Sequence, residues 1–164
     1  MNASDPVPEI MYRTMYNLSF IERHSTDDGP YEVTQLVNSF LGALAYPWEK
    51  YKPALKDKSL EEAAAVGWPT VQKERDTDEE PESVGDLLRL VRNAIAHGNL
   101  EFIAGSRGEI EKIRLHNNRG GRRTWGTTLT VVELRRFLDC FVALAEELHD
   151  EALSARTHSN AGHN

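Results

Sequence analysis

The chain has 164 residues, enough for one domain with a sizeable core. Its formal net charge of −7 argues against coating nucleic acid by bulk attraction. It holds no run of about 18 apolar residues, so no membrane span is expected.

A first helix is expected from Pro8 to Arg23, because Met11, Met15, Leu18 and Ile21 recur on one face. The N-terminal residues, with Asp5, Pro6, Pro8 and Glu9, lack the basic and apolar regions expected of a signal peptide. Asp27-Asp28-Gly29-Pro30 breaks this helix. A second helix is expected from Tyr31 to Ala45, carrying Val33, Leu36, Val37, Phe40, Leu41 and Leu44, with Pro47 ending it. Trp48, Tyr51 and Leu55 then read as a packed but irregular segment, with Trp48, Tyr51 and Trp68 as core plugs rather than a ligand cage. Ser59-Leu60-Glu61-Glu62 is a capping box and predicts a short helix through Val66, stopped by Gly67-Trp68-Pro69. The acidic stretch from Glu74 to Glu82 reads as an exposed loop.

A third helix opens at Ser83, with Asp86 three residues on, and closes at His97 or Gly98. The period then changes to two. Strands are expected over Leu100–Ala104, Glu109–His116 and Thr124–Leu129, with turns at 105–108 and 117–121. Thr130-Val131-Val132-Glu133 caps a long helix that carries Leu134, Phe137, Leu138, Phe141, Leu144, Ala145 and Leu148 on one face. Cys140 lies in that stripe as a small core residue. A single cysteine forms neither an internal disulfide nor a Cys-based zinc site, and suits a reducing cytoplasm, the expected location. The polar tail, residues 156–164, is expected to be disordered. The fold class is mainly α: one domain over residues 1–155, with four main helices and a small antiparallel meander, about 100–129, inserted before the last.

The third helix carries the chemistry. Val84, Leu87, Leu88, Val91, Ala94 and Ile95 share one face at about 100° per residue. Arg92, Asn93 and His97 project from the other, with the small Ala96 among them, and Asn93 and His97 are i, i+4 neighbours. An ordinary helix end also favours Arg, His and a following Gly through the dipole and capping, so spacing alone leaves that reading open. The trio nevertheless suits RNA cleavage without metal. An RNA 2′-OH is a nucleophile beside its own phosphate; it needs a base, an acid for the leaving 5′-oxygen, and cationic donors. Histidine, with an ordinary pKa of ~6.5, serves as acid or base near neutrality. Arginine offers a planar fork for phosphate oxygens, and Asn93 can orient the imidazole or bind phosphate.

Base is concentrated between Arg107 and Arg123, where six Lys and Arg face two Glu. Within it Arg119, Arg122, Arg123 and Trp125, together with Arg89 on the third helix, are candidates to hold RNA phosphates and stack a base. A solvated hairpin with Trp125 in packing is the competing reading. His24 and His116 read as ordinary histidines, and His149, His158 and His163 are too scattered for a metal site. No Gly-rich phosphate loop or Ser nucleophile motif is present.

Arg92-Asn93-Ala94-Ile95-Ala96-His97 resembles the signature of the HEPN superfamily, helical nucleotide-binding domains whose motif is an Arg, a polar residue, a short spacer and a His. The specific match spans about eight residues, with the bundle resembling the family broadly. The resemblance implies a metal-independent endoribonuclease without cofactor, acting on single-stranded RNA as a homodimer whose active site joins two Arg/His sets. Arg92 would stabilise the phosphate, Asn93 would support the site and His97 would be the acid/base. It also implies toxin or anti-phage roles, with an antitoxin or regulatory protein as a further partner. Some members are non-catalytic modules that bind nucleotide, RNA or protein on the same face. Toxins silenced by a nucleotidyltransferase often carry a Tyr two residues beyond the His; Asn99 stands there, which argues against that control.

Overall fold

The longest apolar stripe before the meander belongs to a helix that both of its prolines fail to stop. A computed structural model describes residues 6–26 and 29–161, with only the backbone described for 45–46 and 156–161. Among these residues the order is α1 (Pro6–His24), α2 (Glu32–Asp57), α3 (Leu60–Ala65), α4 (Val84–Ala96), β1 (Leu100–Ala104), β2 (Ile110–Arg119), β3 (Arg122–Thr130) and α5 (Val131–Ala161). Asp27 and Asp28 of the expected α1–α2 break lie outside the described residues.

The expected end of the second helix at Pro47 is corrected: α2 runs to Asp57 with Pro47 and Pro53 inside it. Trp48, Tyr51 and Leu55 are buried as expected, but they are helical, not irregular. They continue the stripe of Leu36, Val37, Phe40 and Leu44. An interior proline disfavours a helix by about 3 kcal/mol. Burying each of three large side chains contributes roughly 1.5–3 kcal/mol, which offsets two such penalties.

Helix α2 packs on α1, α4 and α5, and α5 crosses β2 and β3. Phe137 of α5 joins three parts of the core: its ring lies 5.6 Å from Phe40 and meets Trp68 edge-on at 5.1 Å. Both capping boxes form. Ser59 and Glu62 exchange hydrogen bonds, and Thr130 and Glu133 do the same ahead of α5. Helix α5 continues through Ala161, past the point where the sequence places a disordered tail; residues 162–164 lie outside the described residues.

The sheet order is β1-β2-β3, antiparallel throughout. The hairpin is longer than expected, since 117–119 pair within β2 and the turn shrinks to Gly120-Gly121. Both glycines have positive φ, 57° and 77°, which a two-residue hairpin turn requires. Ile113, Leu115 and Asn117 of β2 and Trp125, Thr127 and Leu129 of β3 face the core.

The acidic segment is a loop with most of its residues exposed, as expected, but it does not hang free. It lies along β3: the Glu74 N–H donates to the Gly126 carbonyl at 2.9 Å, and the Glu79 N–H to the Thr124 carbonyl at 2.8 Å. The Asp78 side chain is 2% exposed and accepts from Arg123 at 3.0 Å and from the Arg75 N–H at 3.0 Å. Opposite charges 40 and 45 residues apart in the chain hold this strap down.

Candidate functional site

Helix α4 is set at both ends by its own sequence. The Ser83 side chain accepts from the Asp86 N–H at 3.1 Å and starts the helix. His97 is the C-cap. Gly98 follows with φ 68°. Its N–H donates to the Ile95 carbonyl at 3.0 Å, and the Asn99 N–H to the Ala94 carbonyl at 2.8 Å. This paired arrangement satisfies the last carbonyls through backbone alone. The His97 imidazole is therefore not used as a cap.

The face predicted to be apolar is buried: Val84, Leu87, Leu88, Val91, Ala94 and Ile95. Leu90 is buried too, at 1% exposure. It lies on the flank nearer Asn93 and His97, where the β2–β3 hairpin covers the helix. Asn117 Nδ2 donates to the Leu90 carbonyl at 2.9 Å, pinning the hairpin two residues ahead of Arg92. The open face of α4 is narrower than the sequence implies. It retains Arg92 and Asn93 half-buried, with Ala96 and His97 exposed. Among the described residues no hydrogen bond or ion pair engages the side chains of these three motif residues. A cation, an amide and an imidazole thus share the last two turns of α4 with their polar atoms unspent. The chain then enters β1 directly. Asn99 accepts from the His116 N–H at 3.1 Å, which brings the backbone of His116 beside the motif.

The surrounding cations divide into engaged and open. Arg89 pairs with Glu79, and with Asp86 at 3.7 Å. Arg123 is 15% exposed and bonds Glu74 at 2.8 Å and Asp78 at 3.0 Å. Arg114 bridges Glu74 and Glu101, and these bonds raise its already high pKa. Two of the six cations in the basic window, Arg114 and Arg123, are thus paired with the strap, which local sequence patterns do not signal. Burial alone pushes the Glu74 carboxyl up; hydrogen bonds from Thr128, Arg123 and Arg114, with the charge of Arg123, outweigh it and hold the group below its ordinary value. Trp125 is 1% exposed, so its ring faces cannot stack on a base; it is core. Arg119 and Arg122 face each other across the hairpin tip, exposed, and no ion pair engages either among the described residues. Of the residues expected to touch RNA outside the motif, these two remain open. Strand alternation signals the difference: Trp125 is in phase with Leu129, and Arg122 is not.

Among the described residues no group of three or more His, Cys, Asp or Glu is placed to hold a metal ion. No helix is long and apolar enough to cross a membrane among them. Cys140 is half-buried, and burial raises its thiol pKa.

A family model described as HEPN pEK499 p136 matches residues 1–152. The chain belongs to this HEPN family. HEPN domains are often associated with ribonuclease activity. The match spans the bundle, the inserted meander and most of α5, far beyond the motif. Comparison with curated proteins and with solved structures gave no significant match.

Proposed function

We propose that this HEPN protein is a metal-independent endoribonuclease that cleaves single-stranded RNA through attack of the 2′-OH, working as a homodimer in a toxin or anti-phage role. The observation that carries the proposal is the end of α4, capped by Gly98, where the half-buried Arg92 and Asn93 and the exposed His97 have no side-chain partner among the described residues.

In the composite site, a scissile phosphate lies between two copies of this helix end. One His97 imidazole takes the 2′-OH proton. The oxygen attacks the adjacent phosphorus, and the bond to the 5′-oxygen breaks. The second copy's His97, as imidazolium, protonates the leaving oxygen. The Arg92 guanidinium carries the charge that builds on the phosphorane oxygens, and Asn93 holds an imidazole or a phosphate oxygen. Products are a 2′,3′-cyclic phosphate and a 5′-hydroxyl. Arg119 and Arg122, on the hairpin pinned to α4, hold the flanking backbone.

The test is cleavage of RNA in EDTA by wild type, Arg92→Ala and His97→Ala. Wild type is expected to cut and both variants to lose activity by at least two orders of magnitude, the scale of removing one acid/base group. An inert wild type, or variants that cut as well as wild type, refutes the proposal. Growth arrest on expression, lost in both variants, tests the toxin role.

A further inference from the structure

We infer that the outer face of α1 is a seam on which a second copy of this chain packs antiparallel. Tyr12, Tyr16 and Phe20 are 63%, 57% and 48% exposed, three large aromatics one turn apart on a helix whose opposite face buries Val7, Met11 and Leu18. Glu9 and Arg23 extend the row at spacings of three residues, and all five positions fall within an arc of about 80° on an α-helix.

The row is complementary to itself. Its charge is negative at one end, positive at the other, and Tyr16 stands at the midpoint. Two copies laid antiparallel put Tyr16 on the two-fold axis, Tyr12 against Phe20 of the second copy, and Glu9 against Arg23 of the second copy. An isologous contact requires this i-to-j, j-to-i pairing. The surface relief agrees. The Tyr12 and Tyr16 rings are tilted by 34° to each other, with centroids 6.3 Å apart. A hollow of about 350 Å³ is lined there by Glu9, Tyr12, Arg13, Tyr16 and Asn17. In the antiparallel register the Phe20 ring of the second copy falls at this hollow, a knob into a hole. Among the described residues Glu9 pairs with Arg13, an exposed pair of little strength, so exchanging it for an intermolecular partner loses little.

The area is of the right order. Three aromatics at these exposures present on the order of 300 Å² of ring surface per copy. Doubled and extended by Glu9, Arg13 and Arg23, the seam reaches the ~1,000 Å² at which specific association begins, which fits micromolar affinity. RNA is the less suitable occupant: the aromatic row carries one acid and one base at its ends, on a chain of net charge −7. The seam shares no residue with the Arg92 site and does not rest on the ribonuclease proposal.

Sedimentation velocity over micromolar to submillimolar concentration tests it, on wild type, Tyr16→Glu, Glu9→Arg, Arg23→Glu and the double swap Glu9→Arg/Arg23→Glu. Tyr16→Glu is expected to halve the largest assembly, whether or not the Arg92 sites also pair, and to leave RNA cleavage per mole of assembled site to be measured separately. Each single swap weakens association several-fold by facing like charges, and the double swap restores it. An unchanged assembly in Tyr16→Glu, or no rescue in the double swap, overturns the seam. Loss of RNA binding in Tyr16→Glu with unchanged mass overturns it in favour of an RNA-stacking face.

Discussion

Arg123→Ala removes the cation that holds the strap against β3, and its effect can be worked from the local geometry. Arg123 is 15% exposed, Asp78 2% and Glu74 22% at the side chain, so the Asp78 arm is the buried one. Breaking a buried pair by removing one partner costs about 3–5 kcal/mol. Two features lower that figure here. Glu74 keeps Arg114 and Thr128, so its arm adds little. In wild type the Arg123 Nε is buried without a partner among the described residues, an expense of about 1 kcal/mol that the substitution removes. The expected net loss is about 2–3 kcal/mol, or a Tm drop of roughly 5–10 °C for a chain this long. Arg122→Ala, its exposed neighbour, is the control and should stay within about 0.5 kcal/mol. Thermal and urea denaturation followed by circular dichroism measure both. Limited trypsin digestion adds a local readout, since Arg75 lies in the strap and should be cut faster in Arg123→Ala. If Arg123→Ala matches Arg122→Ala in stability and Arg75 is cut no faster, the ion triad does not hold the strap.

Two further outcomes follow from neighbouring geometry. Glu74 is held below its ordinary pKa, so its contribution to stability is fully present above the ordinary carboxylate range and is lost as pH falls through the lower folded value. Wild type should therefore exceed Glu74→Gln in denaturation midpoint near neutrality and converge with it in acid; a gap that persists in acid contradicts the assignment. Gly85→Ala places a Cβ 3.0 Å from the backbone of Leu55 and Lys56, between α2 and α4, and should destabilise by about 1–3 kcal/mol in the same melts. A neutral result would mean that the two helices separate freely at that crossing.

Local signals read well from the chain alone. The Ser83 and Gly98 punctuation set α4, and the Ser59 and Thr130 boxes set the starts of α3 and α5, because each acts within four residues. The misses arise where distant partners decide. Pro47 stops a helix locally, yet the buried row through Trp48, Tyr51 and Leu55 keeps α2 intact. The 74–82 segment reads as solvated acid until β3 supplies Arg123 and two backbone carbonyls. The motif's outward face is legible from the wheel, but the covering of Leu90 by the hairpin is not, since it depends on Asn117 crossing from β2.

The strap also decides which edge of the sheet another chain could join. With order β1-β2-β3, β3 would otherwise offer a row of outward carbonyls to any extended peptide. The Glu74 and Glu79 amides already occupy those of Gly126 and Thr124, so a foreign strand is kept from the middle of β3. The other edge of the sheet is β1. It is five residues long, holds the charged Glu101, and bulges at Ile103/Ala104, so polymerisation through the sheet is discouraged on both sides.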